Sequence, residues 1–318
     1  MPLGPMRAEF CHEIMEFQSK VRSFEATAVA LDAGRFAASV STIALDDVAV
    51  EILRAPPLLL IGMVAEQRPG CLVVLEGARA ARWDGEALGA RDVALLSPGA
   101  SLSLAFPERW ACAFVSADVE QGEALPLLDA PGRSDRQEPL RIRRSAFPAH
   151  RRFAAFLEEI EANSAALHNQ GCEEMWRSLR ASLLEALQRL LEPGGQVATW
   201  SRRRGTAARQ RLVHLADEYF RANMARPIYT EELCVALGAS ASVLHEAFRE
   251  AFGVSPHRYL KLRRMGIVRA TLLSRRGQWH SVKAAALSHG FWHLGQFAHD
   301  YRSIFGELPS DTLERARL

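Results

Sequence analysis

The feature that most constrains this chain is an internal repeat near its C-terminal end. Phe248-Arg249-Glu250-Ala251-Phe252-Gly253-Val254-Ser255-Pro256 matches Tyr301-Arg302-Ser303-Ile304-Phe305-Gly306-Glu307-Leu308-Pro309 position for position, at an offset of 53 residues. Phe297, Tyr301 and Phe305 recur every fourth residue, so they share one helix face and point into a core. Gly306 and Pro309 stop that helix. Leu244 takes the place of Phe297 in the earlier copy, and Gly238 the place of Gly290, with one residue fewer before its helix. Both glycines suit a left-handed turn, because neither carries a Cβ. Two copies are too few for a solenoid and fit two helix-turn-helix units in one domain.

The residues that carry this pattern resemble a known family. Thr230-Glu231-Glu232-Leu233-Cys234-Val235-Ala236-Leu237-Gly238 precedes Leu244, Phe248-Arg249, Phe252-Gly253 and Pro256 in the first unit. Val282, Ala285-Ala286 and Gly290-Phe291 precede Phe297, Tyr301-Arg302, Phe305-Gly306 and Pro309 in the second. Doubled at this spacing, the pattern is similar to the DNA-binding domain of the AraC/XylS transcription regulators. The run Gly290-Phe291-Trp292-His293-Leu294-Gly295-Gln296-Phe297 most resembles the ethanolamine-utilisation regulators within that family.

Charge divides the chain in the same place. From Ser201 onward there are 19 Lys or Arg against 10 Asp or Glu, whereas the preceding residues hold 20 against 27. A basic C-terminal third on an acidic body suits a nucleic-acid module joined to a sensor, although a solvated charged surface also gives such a bias. Cys11, Cys71, Cys112, Cys172 and Cys234 are scattered and odd in number, which fits reduced thiols, most of them small core residues, in a cytoplasmic protein. No signal peptide is visible, and the longest apolar stretch, Pro56 to Val64, is too short to span a bilayer, so no membrane partner is expected.

Residues 1 to about 30 read as a helical or irregular lead-in. Between Arg35 and Val119, Val48, Val50 and Ile52 alternate with polar or small residues. Short apolar runs follow at Leu58-Leu59-Leu60-Ile61, Cys71-Leu72-Val73-Val74-Leu75 and Val93-Ala94-Leu95-Leu96, punctuated by turns at Asp84-Gly85 and Ser97-Pro98-Gly99. Many short strands with turn punctuation predict a β-barrel or jelly roll. Arg91 to Gly99 resembles the cupin-like effector domains of the same family. The His-x-His pair of metal-dependent cupin enzymes has no equivalent, since no histidine lies between His12 and His150. Residues 120–145 read as a linker rich in Pro, Gly and Arg. Phe153, Phe156, Leu157 and Ile160, and then Trp176, Leu179, Leu183, Leu187 and Leu190, form apolar helical stripes. These stripes suit packing on the β-domain or a subunit interface, and both readings stand together. Arg202-Arg203-Arg204 marks a hinge.

The predicted fold class is therefore α+β. A cupin-like β-barrel or jelly-roll sensor domain occupies residues 1–145, a helical dimerisation segment and linker 146–205, and an all-α DNA-binding domain 207–318. The helix-turn-helix units fall at about 230–252 and 281–305. Ser242, His245, Glu246 and Arg249 face outward from the second helix of the first unit, and Gly295, Gln296, His299 and Arg302 from that of the second. Such side chains meet base edges in the major groove: His donates or accepts, Glu accepts from a cytosine amine, Arg grips guanine or phosphate, and Gln bonds adenine with both amide atoms. Glu246 has a competing use, pairing with Arg249 on its own helix. Lys261, Arg263, Arg264, Arg269, Arg275 and Arg276, on or after the joining helix from about Pro256 to Leu273, are the expected phosphate contacts. The resemblance implies a ligand-responsive activator of a nearby catabolic operon, with promoter DNA, RNA polymerase, a small-molecule effector and a second copy of the chain as partners, and no catalytic or metal residues. The alternatives are a constitutive DNA-binding protein whose N-terminal part only dimerises, and an enzyme domain fused to the same module. An activated cysteine on a strand-to-helix elbow is the missing mark of the latter: Cys71 sits in a strand-like run with no helix after it.

Overall fold

A computed structural model describes residues 7–31, 35–65, 69–77, 81–83, 86–99, 101–118, 141–163, 167, 172–192, 206–224, 226–273 and 281–317. Its strands are β1 (Arg7–Cys11), β2 (Phe24–Ala30), β3 (Ala38–Leu45), β4 (Val48–Ala55), β5 (Leu58–Val64), β6 (Gly70–Glu76), β7 (Arg82–Trp83), β8 (Glu86–Ala87), β9 (Asp92–Leu96), β10 (Ser101–Phe106), β11 (Trp110–Ala117) and β12 (Arg141–Arg144). The helices are α1 (Ile14–Lys20), α2 (Phe147–Ala162), α3 (Glu173–Leu191), α4 (Thr206–Ala222), α5 (Thr230–Leu237), α6 (Ala241–Phe252), α7 (Pro256–Leu273), α8 (Val282–Ser288), α9 (Leu294–Phe305) and α10 (Pro309–Arg317).

The N-terminal half is β-rich and the C-terminal half helical. Among the described residues the strands form two sheets, ordered β1-β3-β4-β11-β6-β9-β12 and β2-β5-β10-β7-β8, and every pairing is antiparallel. Between them lies a core of Phe24, Leu58, Leu60, Trp83, Leu104 and Phe106 from the smaller sheet and Val40, Leu53, Leu72, Val74, Leu96 and Phe114 from the larger. Ile14 and Phe17 of α1 close one end of it, so the expected lead-in is two strands and a helix, of which α1, β2 and Cys11 at the end of β1 contribute to the core. Residues Asp46-Asp47 join β3 to β4, with Asp46 at φ 58°, a left-handed conformation that Asp tolerates better than most residues.

Strand period explains the apolar runs. In β5, Leu58 and Leu60 face the inter-sheet core while Leu59 and Ile61 face the other way, and all four are buried. β6 and β9 repeat this with Val73 and Val93 turned outward. A strand covered on both faces has no polar side to show, so its sequence does not alternate. The outer face of the larger sheet is covered by α2 and α3 through Phe153, Leu157, Ile160, Trp176, Leu183, Leu187 and Leu190. The helical stripes are thereby committed to the chain's own sheet. His150 Nε2 bonds the Val74 carbonyl at 3.0 Å, and Arg54 reaches Glu161 at 2.8 Å across the same seam. The outer face of the smaller sheet, with Val29, Leu59, Ile61 and Ala105, is covered by α4, α6 and α7. Four layers result: a helix pair, a sheet, a second sheet and the helical C-terminal half.

Part of the expected linker, Arg141–Arg144, is strand β12 beside β9; residues 119–140 lie outside the described residues, as do Asp84-Gly85 and the Arg202-Arg203-Arg204 hinge. β7 and β8, on either side of Asp84-Gly85, pair antiparallel, Trp83 opposite Glu86. Cys11, Cys71 and Cys112 are buried, and burial pushes the Cys71 thiol up to about 12. No described helix is long and apolar enough to cross a membrane.

Candidate nucleic-acid interface

Local chemistry shapes the two helix pairs in the same way. α5 ends at Gly238, whose φ of 62° is left-handed, and the Ala239 amide closes back on the Cys234 carbonyl at 3.1 Å. Ser240 then accepts a hydrogen bond from the Val243 amide at 3.3 Å, capping α6, and Gly253 at φ 71° ends it. In the second pair, Ser281 caps α8 by accepting from the Ala284 amide at 3.1 Å. Gly290 turns at φ 79°, and Gly306 at φ 74° ends α9. A side chain at 290 would also crowd the Arg264 guanidinium, at 3.3 Å from its first carbon.

Each second helix has one buried and one open face. Leu244, Ala247, Phe248, Ala251 and Phe252 point inward from α6, and Phe248 and Phe252 pack on Tyr259 with ring centroids 5.5 and 5.2 Å away. Phe297 and Tyr301 do the same from α9, with Phe291 5.0 Å from Phe297 and Phe305 4.6 Å from Tyr301. Ser242, His245, Glu246 and Arg249 on α6, and Gly295, Gln296, His299 and Arg302 on α9, are all exposed. The N-terminal sheets cover the opposite side of α6 and leave this face open. Glu246 pairs with Arg209 of α4 at 3.3 Å, rather than with the expected Arg249. Gln296 donates to Asp300 at 3.0 Å.

The expected phosphate contacts divide differently. Lys261 is exposed on α7, with Nζ 2.7 Å from Asp300. Arg263, Arg264 and Arg269 are buried, at 6, 8 and 7% exposure. Arg263 pairs with Asp217, which also accepts from the Tyr259 hydroxyl at 2.7 Å. Arg264 donates to the Arg226 carbonyl, and burial lowers its pKa. Arg269 lies over the Phe305 ring at 4.7 Å and meets Glu13 of the β-rich half at 2.8 Å and Glu307 at 2.8 Å. These three arginines are internal ties: their guanidiniums are sealed from water against carboxylate and carbonyl partners, so an outside phosphate does not reach them, even though Nε of Arg263 and of Arg264 has no hydrogen-bond partner. Arg275 and Arg276 lie outside the described residues.

Sequence reasoning passed over Arg258, which is exposed at the start of α7, its amide bonded to Ser255 Oγ at 3.2 Å. The signal was present. Tyr259, Leu260, Leu262, Met265, Val268 and Leu272 occupy every side of α7, so the helix is central and most cations beyond its first turn are enclosed. Among the described residues its fully exposed positions, His257, Arg258 and Lys261, lie in the first two turns.

Residues 233–315 match the helix-turn-helix domain family. The chain is 36% identical over 115 residues to the XylDLEGF operon transcriptional activator 1 of Pseudomonas putida, a match that spans 36% of this chain and about a third (34%) of that protein's length. It is 35% identical over 141 residues to the XylDLEGF operon transcriptional activator 2 of the same organism, covering 44% of this chain and 83% of that protein. Among solved structures, a probable AraC family transcriptional regulator from Rhodopseudomonas palustris CGA009 is 44% identical, covering 34% of this chain and 99% of that one, with a TM-score of 0.32.

Proposed function

The chain belongs to the AraC/XylS family of DNA-binding transcription regulators, and from that membership we propose that α6 and α9 enter successive major-groove segments of promoter DNA. One observation carries this reading. Two helices related by a sequence repeat, each glycine-stopped and buried along an aromatic face, both keep a polar face open. The two reading helices then sit about one helical turn (~34 Å) apart on one face of the duplex. His245 and Gln296 are the central base readers. Ser242, Glu246, Arg249, His299 and Arg302 flank them, and Gly295 lets the backbone approach. Lys261 and Arg258 hold phosphates. The units 230–252 and 281–305 lie within a DNA-binding domain of residues 207–318, and residues 1–145 form a cupin-like sensor.

Further parts of the reading rest on the relatives' printed role as operon activators. The chain acts in the cytoplasm as a dimer, responds to a small effector through its β-rich half, and recruits RNA polymerase at a catabolic operon. The likeness of Gly290 to Phe297 to ethanolamine-utilisation regulators lies in the DNA-facing half and names no effector.

Selection of bound sequences from a random duplex pool tests the two-reader arrangement. His245→Ala is expected to relax preference over one or two base pairs, by about 1–3 kcal/mol, and Gln296→Ala to do so roughly ten base pairs away. Perturbation of the same base pairs by both changes, or loss of overall affinity alone, would overturn it.

A further inference from the structure

The second helix pair holds its candidate reader from behind. Gln296 Nε2 donates to one oxygen of Asp300, one turn further along α9, at 3.0 Å. The other Asp300 oxygen lies 2.7 Å from Nζ of Lys261, which comes from α7. A glutamine and an aspartate four residues apart on an open helix form a weak, mobile pair. Here the carboxylate is tied by a second helix, and its side chain is only 16% exposed. The first helix pair has no such arrangement. At the 53-residue offset Asp300 corresponds to Ala247, which is 1% exposed, and Gln296 to Val243.

A glutamine amide offers two N–H donors and one carbonyl acceptor. A carboxylate accepts only, so the nitrogen must face Asp300; the flipped amide would set oxygen against oxygen. One N–H and the carbonyl oxygen are left for an outside partner. That donor–acceptor pair complements N7 and N6 of adenine in the major groove. The geometry points to Asp300 as a positioning residue for sequence recognition: it presets the Gln296 amide so that the second helix pair favours an adenine-containing base pair. Lys261 keeps Asp300 in place and offsets its charge beside the DNA. This inference rests on the reading that Gln296 faces base edges.

The test uses the full chain and its Q296A, D300A, D300N and Q296A/D300A variants, with bound sequences selected from a random duplex pool and a thermal midpoint recorded for each. Q296A and D300A are expected to relax preference at the same one or two base pairs, each by roughly tenfold. The double variant should relax it no further than Q296A, because Asp300 acts through Gln296. D300N retains an acceptor oxygen and should recover part of the preference. If D300A does not fold, K261M removes the tie from α7 without touching Asp300 and should relax the same base pair to a smaller extent, in addition to the uniform loss of affinity expected from its phosphate contact. Relaxation by Q296A with none by D300A, or by K261M in its place, overturns the role of Asp300. So does a D300A variant that loses affinity for all sequences alike. No change with Q296A itself would instead remove the base-reading role of Gln296 on which the inference stands.

Discussion

The two helix pairs share a sequence pattern and differ in what completes them. The core of the first, around Phe220, Phe248, Phe252 and Tyr259, continues into the smaller sheet through Val29, Leu59, Ile61 and Ala105. The second closes on the chain's own last helices, with Met265, Val268, Phe297 and Tyr301 enclosed by α7, α8 and α10. Its tie to the β-rich half is built around an ionic cluster beside Ile304 and Phe305: Glu13 meets Arg269 and Arg315, and both arginines also meet Glu307. One pair is thus docked mainly by apolar burial, which salt does not screen, and the other largely by charges, which it does. A repeat that is near-symmetric in sequence is asymmetric in how the β-rich half can reach it.

The largest effects should come from the two aromatic cores. Phe248→Ala and Tyr301→Ala each remove a ring with no exposure, at an expected cost of about 3–5 kcal/mol. Hydrogen exchange tells them apart. Loss of Phe248 should speed exchange in β5 and β10 as well as α6, whereas loss of Tyr301 should speed it in α8 to α10 alone. Equal spread into the sheets from both would break the comparison.

Next comes the ionic tie. Glu13→Ala leaves the buried Arg269 with Glu307 as its remaining carboxylate, at an expected cost of about 1–3 kcal/mol. The loss should shrink at high salt, since Glu13 and Glu307 are partly exposed and Arg315 is half exposed. Leu59→Ala, at the apolar seam, should cost about 2–4 kcal/mol and show little salt dependence. Denaturant titrations at two ionic strengths check both; a salt-sensitive Leu59→Ala would contradict the division.

Acidification separates the pairs more gently. Burial holds the His214 imidazole below its ordinary 6.5, against the charges of Asp217 and Glu218, and burial followed by His245 and Arg264 does the same to His257. The unfolded chain therefore takes up these protons first. The stability they supply is full above about 6.5 and is lost as pH falls through the lower folded values. Burial of Glu307 opposes its ionisation, but the Thr312 hydrogen bond and the charges of Arg269 and Arg315 more than offset that and hold its pKa below 4.5. Its contribution is present above 4.5 and goes only in stronger acid. Amide exchange from pH 7 to 5 should thus loosen α4 and α6 before α8 to α10; simultaneous loosening would count against it.

The smallest change concerns DNA. Arg258→Ala should make the salt dependence of binding shallower, by about 0.9 in the logarithmic slope, with base preference unaltered. Arg264→Ala should lower stability and leave that slope unchanged, because its guanidinium is buried and turned to the Arg226 carbonyl.

Much of this arrangement was legible in the chain. Gly238 and Gly290 adopt the left-handed conformation expected of them, Gly306 ends its helix as expected, Gly253 does the same in the first pair, and Ser240 caps α6. α7 runs from Pro256 to Leu273, as its pattern predicts. The apolar run at Leu58 to Ile61 also carried a message that its length alone did not deliver: a strand with no polar face must be covered twice. The burial of Arg263, Arg264 and Arg269 was not legible, since an arginine reads as a surface cation unless its partners are known. Asp217 lies 46 residues from Arg263, and Glu13 lies 256 residues from Arg269.

The sequence by itself determined the elements whose causes are local. Turn glycines, serine caps and four-residue aromatic spacing act within a few residues of one another, so they set helix ends and inward faces wherever the chain is placed. Tertiary structure alone decided which cations stay open to DNA, which apolar stripe meets which sheet, and that Asp300 lies between Gln296 and Lys261. Those outcomes depend on burial and on charges brought together across the fold, and both are properties of the assembled layers rather than of any one stretch of chain.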